Sequence, residues 1–257
     1  MEYKKLIIGN WKMNPESLKV AKGIVNSIKK EALTAKNVMT VLCPPDIYLS
    51  EINRMFRSDK LKLGAQDAYF EKVGAYTGQI SPLMLRGAGA SYLIIGHSER
   101  RAAGDTDEMI NKKVKMALAL GFTIILCVGE KQRDEHGFYL SAVQDQLTAG
   151  LKGVQKKDSG RIVIAYEPVW AIGKDAARAA EPEEIEQMML YIRKVLASVL
   201  SKTGNKVRTL YGGSVDMKGA TALLSISHVD GLLVGRESLN PKNFSEIIRI
   251  ASNAAHA

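Results

Sequence analysis

The chain has 257 residues, of which 46% are apolar and 25% are charged, and this balance predicts one large domain, residues 1–257, with a substantial core. No apolar run is long enough to cross a bilayer and no leader pattern opens the chain, so we expect a cytoplasmic protein that does not contact membranes. The net charge of +9 comes from scattered lysines and arginines without interleaved aromatic residues, which favours a solvated basic surface over a nucleic-acid interface.

Short apolar runs alternate with amphipathic stretches along the whole chain. The runs predict eight strands, at 5–9, 38–43, 61–66, 92–96, 122–128, 162–166, 208–211 and 231–234. The stretches predict helices at 15–30, 46–57, 107–119, 140–154, 183–201 and 243–255, with shorter ones at 81–87 and 217–224. Because the strands are apolar without alternation, both faces of the sheet should be covered, as in a parallel sheet. Eight strand–helix units in this length favour an α/β fold, a closed eight-stranded parallel (β/α)8 barrel, over an open doubly wound sheet.

Two cysteines, Cys43 and Cys127, each lie at the end of an apolar run, so we expect buried free thiols and no disulfide. No cluster of Cys and His has the spacing of metal ligands, and no loop resembles a nucleotide-binding loop. The sequence therefore predicts no metal ion and no cofactor.

Polar residues with distinct chemistry follow the predicted strands, where a barrel places its active site. Glu167 ends a buried strand, and its poor solvation makes it a plausible general base. His97 opens a possible helical turn, whose dipole disfavours the imidazolium, so it would donate a hydrogen bond as a neutral ring. Lys12 follows the first strand and would stabilise an anion. Taken singly, each residue is also compatible with a structural role or a surface ion pair.

Glycine-bearing turns follow the last two strands, at Gly212-Gly213-Ser214 and Gly235-Arg236. Neighbouring loops at this place often bind phosphate through backbone N–H groups, although either turn alone is compatible with an ordinary tight turn. A run of small residues up to Ala180 follows Glu167 and is suited to close over a site. A base, a neutral acid, a cation and a phosphate cradle together predict proton abstraction next to a carbonyl in a phosphorylated small molecule.

Eight motifs resemble the triosephosphate isomerase family in the family's order, and they span essentially the whole chain. They are GNWKMN at 9–14, GAQD at 64–67, GAYTG at 74–78, IGHSERR at 95–101, CVGE at 127–130, AYEPVWAIG at 165–173, YGGSV at 211–215 and DGLLVG at 230–235. The resemblance implies a TIM barrel without cofactor. It also implies an isomerase that interconverts dihydroxyacetone phosphate and D-glyceraldehyde 3-phosphate through an enediolate, in glycolysis and gluconeogenesis.

The resemblance also implies roles for individual residues. Glu167 would be the base, His97 the neutral electrophile, and Lys12 with Asn10 would bind substrate and stabilise the enediolate. The backbone N–H groups implied to hold the phosphate belong to Gly173, Ser214, Gly235 and Arg236. The residues implied to support the site from behind are Glu99, Arg100 and Glu130, the last of them near Trp170.

A homodimer is implied as well, formed through loop 74–78, which begins at Gly74, ends at Gly78 and has Thr77 at its tip. The chain departs from the family pattern at three places. Gln79 replaces a common Glu that would pair across the dimer, Arg236 replaces a second glycine, and residues 174–180 replace the usual lid tip.

Two alternatives to a triose isomerase stay open at this level. One is an isomerase or epimerase of a larger sugar phosphate, which the predicted lid and phosphate turns alone would allow. The other is a catalytically silent, barrel-shaped binding protein, which would be expected to lack a reacting residue. The joint presence of Lys12, His97 and Glu167 favours the triose isomerase over both.

Overall fold

A computed structural model describes residues 4–173, 176 and 178–255. Within these residues, eight parallel strands pair in chain order, and β8 pairs with β1 to close a barrel. The strands are β1 Lys5–Asn10, β2 Val38–Cys43, β3 Leu61–Ala65, β4 Ala90–Ile95, β5 Thr123–Val128, β6 Ile162–Tyr166, β7 Arg208–Tyr211 and β8 Gly231–Val234. The predicted eight-stranded parallel (β/α)8 barrel is thereby confirmed, and strand ends differ from the prediction by two residues at most.

Helices connect the strands over the outside of the barrel. They are α1 Leu18–Thr34, α2 Leu49–Asn53, α3 Pro82–Gly87, α4 Ser98–Ala102, α5 Asp107–Ala119, α6 Phe138–Gly150, α7 Pro182–Leu200, α8 Ala220–Ser225 and α9 Pro241–Ala254. Short 3-10 turns lie between several of them, including Val169–Ala171 after β6 and Arg236–Leu239 after β8. Both of these turns border the carboxyl ends of the strands.

Several predicted helix boundaries were wrong, and three of these errors have identifiable reasons. The first helix begins at Leu18 rather than Pro15, because the Ser17 hydroxyl accepts the Val20 N–H at 3.4 Å and caps the helix there. The prediction for 46–57 also fails, since that stretch divides into a 3-10 turn at Asp46–Tyr48 and the short α2. The helix predicted for 140–154 begins two residues earlier, because the Asp134 carboxylate accepts backbone N–H groups at the start of α6.

The interior of the barrel is filled by alternate strand residues. Leu6 and Ile8 of β1 point into the barrel, whereas Ile7 between them packs outward against the helices. The inward-facing cluster consists of Leu6, Ile8, Met39, Val41, Cys43, Ile94, Ile125, Cys127, Val163, Ala165, Leu210 and Leu233. Because this core is closed by side chains, substrate has access only at an end of the barrel. Both cysteines are buried and free, as predicted.

Strand register aligns the ends of β5, β6 and β7. Val128 pairs with Tyr166, and Tyr166 pairs with Tyr211. The residue after β6, Glu167, is therefore bracketed by Gly129 and Gly212, and its own N–H donates to the Val128 carbonyl at 2.8 Å. A Cβ at Gly129 would lie 1.7 Å from the Glu167 carbonyl oxygen, so a side chain there would displace the Glu167 backbone. Across the described part of the chain, helices long and apolar enough to cross a membrane are absent.

Candidate active site

The carboxyl ends of the strands surround a cavity of about 770 Å³. It combines strand-end residues with the loops that follow β6, β7 and β8. The residues predicted for the site that line it are Asn10, Lys12, His97, Glu99, Glu167, Gly173, Ser214, Gly235 and Arg236. The cavity volume is typical of small-molecule sites.

Glu167 and His97 meet at the floor of this cavity. Glu167 is 3% exposed and His97 is 7% exposed. One carboxylate oxygen, Oε2 of Glu167, accepts the Ser98 N–H at 3.0 Å. The other, Oε1, lies 3.3 Å from Nε2 of His97. A carboxylate anchored through one oxygen and facing an imidazole through the other is arranged for proton transfer.

The ring of His97 is oriented by the start of α4. His97 is the N-cap of this helix, and its Nδ1 accepts the Glu99 N–H at 3.2 Å. Because a nitrogen that accepts a hydrogen bond carries no proton, this contact assigns the ring hydrogen to Nε2. The Nε2–H group therefore points toward the cavity and Glu167.

Lys12 is held in an uncommon backbone conformation at the end of β1. Its φ is 53°, in the left-handed region that costs a non-glycine residue about 1 kcal/mol or more. Its N–H donates to Oδ1 of Asn10 at 3.1 Å, and its carbonyl accepts from Nε2 of Gln66 at 2.8 Å. Its ammonium group pairs with Oε1 of Glu99 at 2.7 Å. These contacts aim a cation at the same cavity as Glu167 and His97.

The glycine-bearing turns complete the lining of the cavity. The Ser214 hydroxyl donates to the Ala171 carbonyl at 2.9 Å, which ties the loop after β7 to the loop after β6. Arg236 begins the 3-10 turn Arg236–Leu239 with right-handed backbone. A Cβ on Gly235 would lie 3.7 Å from Cε of Lys12, so this turn approaches the lysine closely.

Comparison with known proteins identifies the family. A family model described as triosephosphate isomerase matches residues 5–251. The triosephosphate isomerase of Endomicrobium trichonymphae is 40% identical over 96% of this chain and 98% of its own length. That of Thermoanaerobacter pseudethanolicus is 42% identical over 95% of this chain and 98% of its own. The chain belongs to the triosephosphate isomerase family.

A solved structure agrees with this assignment. The crystal structure of triosephosphate isomerase from Bartonella henselae superposes with a TM-score of 0.82 at 35% identity, covering 96% of this chain and 98% of that one. The resemblance read from the motifs is confirmed. The chain is an isomerase of dihydroxyacetone phosphate and glyceraldehyde 3-phosphate, and this reaction belongs to glycolysis.

Three residues assigned to this triosephosphate isomerase site from sequence lie outside the cavity lining. Glu130 lies behind the cavity, where its Oε1 accepts Nε1 of Trp170 at 2.7 Å and the Tyr166 hydroxyl at 2.9 Å, and burial raises the pKa of its carboxyl. Arg100 turns away and pairs with Asp67 at 3.0 Å. Thr77 lies in the exposed stretch 71–79. The predicted change at 174–180 includes Lys174, Asp175 and Ala177, which lie outside the described residues.

Sequence reasoning missed two residues that touch this site. Gln66 holds Lys12 and also donates to the Cys43 carbonyl at 2.9 Å; its signals were its place at the end of the third predicted strand and in the GAQD motif at 64–67. Cys127 was predicted only to be buried. Its thiol hydrogen-bonds to the Glu167 carboxylate, and burial first, then the negative charge of Glu167, raises the pKa of the thiol well above its usual range. Among described residues, no group of three or more His, Cys, Asp or Glu is placed to hold a metal ion.

Proposed function

We propose that Glu167 is the base that moves a proton between two adjacent carbons of the triose phosphate. The observation that carries this proposal is the 3.3 Å approach of Glu167 Oε1 to His97 Nε2 in a buried position. The Ser98 N–H donates to the other carboxylate oxygen, Oε2, so Oε1 is the atom that takes the proton. His97 donates its Nε2–H to the substrate carbonyl oxygen and polarises it.

The proton balance closes without an outside reactant. Glu167 removes a proton from the hydroxyl-bearing carbon, and the electron pair moves onto the carbonyl oxygen as the enediolate forms. Lys12 stabilises this negative charge. The imidazole exchanges a proton between the two enediolate oxygens, and Glu167 returns its proton to the neighbouring carbon. Every group ends in its starting state.

The phosphate binds against the backbone N–H groups of Gly173, Ser214, Gly235 and Arg236. Support for this comes from the cavity lining, which includes all four residues, and from the 3-10 turn that begins at Arg236. Any residue except proline supplies such a group, so arginine at 236 is compatible with the cradle.

A coupled assay tests the reaction directly. We expect turnover of glyceraldehyde 3-phosphate in the presence of a chelator and without nucleotide, and little turnover of pentose phosphates. Preferential turnover of a pentose phosphate would favour the isomerase of larger sugar phosphates. A folded protein without activity toward either would favour the silent binding protein.

The tautomer of His97 is testable on its own. We expect the ring hydrogen to lie on Nε2, because Nδ1 accepts the Glu99 N–H. Nitrogen-15 NMR of the ring nitrogens, with exposed His136 for comparison, makes the measurement. A ring hydrogen found on Nδ1 would contradict the assignment.

We further propose that the chain forms a homodimer through loop 74–78. The ring of Tyr76 in this loop packs against the ring of Tyr69, with the two centroids 4.6 Å apart. Large apolar side chains are nevertheless exposed in and next to this loop, which is typical of an interaction surface: Val73 is 76% and Tyr76 is 42% exposed. Elsewhere on the surface, Met13, Ile47 and Met84 are 95%, 80% and 64% exposed.

Shortening loop 74–78 should give a monomer. Because loop 74–78 of a second subunit would no longer order Lys12 and His97, we expect activity to fall by about tenfold to a hundredfold. Sedimentation velocity and the coupled assay measure the two effects. A shortened protein that is still dimeric and fully active would refute the interface.

We propose that the protein is located in the cytoplasm, which is a reducing compartment. Two buried free thiols, Cys43 and Cys127, support this placement. Cell fractionation with an antibody against the chain tests it, and recovery in an extracytoplasmic fraction would argue against it.

A further inference from the structure

Arg178 makes a three-part contact beside the cavity. Its guanidinium lies 4.8 Å from the centroid of the Trp170 ring and stacks over it. It also donates two hydrogen bonds to the Glu184 carboxylate, from Nη1 to Oε2 at 2.7 Å and from Nη2 to Oε1 at 2.8 Å. A bidentate pair combined with a stack fixes the arginine in position and orientation.

Both partners of Arg178 are themselves anchored. Trp170 donates its indole N–H to the buried Glu130. Glu184 lies in the first turn of α7 and accepts the Glu181 N–H at 2.9 Å as part of a capping box. The bonds from Arg178 lower the pKa of Glu184 to about 2, so this carboxylate is ionised at any pH at which the enzyme works. Arg178 thus joins the loop after β6 to the start of α7.

The stretch that follows Arg178 forms part of the cavity wall. Ala179, Ala180 and Pro182 line the cavity, as do Ile172 and Gly173 on the near side of the loop. Nη1 of Arg178 also donates to the Ala179 carbonyl at 3.0 Å. Fixing the arginine therefore fixes the backbone of the wall.

We propose that Arg178 is a positioning residue for substrate binding. Its guanidinium clamps Trp170 to Glu184 and orders the wall at Ala179 to Pro182 before substrate arrives. Without the clamp, substrate must order this wall as it binds, and that cost appears in KM. Since Arg178 touches none of the proposed proton-transferring groups, kcat should not change. The kinetic part of this inference rests on the proposed function.

Kinetic variants separate the clamp from a general loss of charge. We expect Arg178→Gln and Glu184→Gln each to raise KM about three- to fivefold, the scale of one half-exposed pair, with kcat within about twofold of wild type. The double variant should raise KM by less than the product of the two single effects, because both changes remove the Arg178–Glu184 pair, while only Glu184→Gln also removes the contact of Glu184 with Arg133 at 3.7 Å. Arg178→Lys keeps the charge but not the fork or stack, so KM should remain raised.

Matched controls use exposed residues of the same type. Arg57→Gln removes an exposed arginine beyond the cavity lining, and Glu183→Gln removes the glutamate next to Glu184. Both should keep the wild-type KM. A similar rise of KM in these controls, or a fall in kcat for Arg178→Gln with KM unchanged, would overturn the proposal.

A second measurement does not depend on activity. The chain has two tryptophans, so its indole N–H spectrum holds two signals, from Trp170 and from the buried Trp11. Arg178→Gln should shift the Trp170 signal and leave that of Trp11 in place. An unshifted Trp170 signal would overturn the clamp. If the wild type failed to isomerise triose phosphates, the proposed function would fall, while this spectrum would still decide the clamp.

Discussion

The two walls of the cavity are built in different ways. Strand ends form one wall, where Asn10, His97 and Glu167 are 5%, 7% and 3% exposed and are held mainly by backbone groups. A loop forms the other, and the Arg178 side chain that fastens it to Glu184 is 51% exposed. Burial fixes the first wall, whereas water weakens the pair that holds the second. In the proposed mechanism the first wall carries the chemistry, and we infer that the second governs how readily substrate is enclosed.

The largest expected effect comes from breaking the buried wall. Glu167→Gln keeps the shape of the side chain but cannot accept a proton, so kcat should fall by about two to four decades. The melting temperature should stay close to that of wild type. Assays and circular dichroism on the purified variant make the measurement, with the exposed Glu183→Gln as control. A Glu167→Gln protein with wild-type turnover would show that another group is the base.

A smaller effect is expected at Asp46, a poorly solvated carboxylate near the end of a strand. Its burial lowers the free energy of unfolding when the carboxylate is ionised. Burial first, and then the charge of Asp67, raises the pKa of Asp46 to about 6. The folded state thus holds this proton more tightly than the unfolded state, whose pKa is about 3.9. The contribution of Asp46 to stability is therefore complete below about pH 4 and is lost as pH rises through about 6.

Asp46→Asn should remove that loss. Between pH 4 and pH 7.5, the free energy of unfolding of the wild type should fall by about 1 kcal/mol more than that of the variant. This figure allows for the partial exposure of Asp46. Urea unfolding at both values measures it. An unchanged pH dependence in the variant would mean that Asp46 does not titrate differently on folding.

The smallest effect is expected on the phosphate side of the site. Arg236 has right-handed backbone, so Arg236→Gly preserves the backbone N–H group and should change KM by less than about threefold. Its dependence on ionic strength should also be unchanged. A tenfold rise, equal to about 1.4 kcal/mol, would assign the guanidinium itself a part in binding the phosphate.

The buried wall was predictable from sequence, and the loop wall was not. Glu167, His97 and Lys12 each follow an apolar run that predicts a strand. Because a parallel barrel places the carboxyl ends of its strands at one end, the strand pattern alone brings these residues together. The contact of Arg178 with Glu184 depends instead on the path of an irregular loop. Such a loop has no periodic pattern in the sequence from which its path could be predicted. Gln66 escaped notice for a similar reason, since the carbonyls it binds belong to β2 and to the loop after β1.

Helix starts failed where two signals competed. Pro15 suits a first turn, but Ser17 caps the chain two residues later and sets the start of α1. Asp134 acts in the same way for α6, by accepting N–H groups of Phe138 and Tyr139. Local hydrogen bonds of this kind shift a boundary without changing the hydrophobic pattern from which the helix was predicted.

The two buried cysteines have a practical consequence for spectroscopy. Burial raises the pKa of both Cys43 and Cys127, and the reactive thiolate is therefore scarce at either position. A maleimide dye or a nitroxide reagent should leave both unmodified in the folded protein. The unaltered chain can thus serve as a background for site-directed labelling, and a cysteine placed at exposed Ala179 would put a reporter on the loop wall itself.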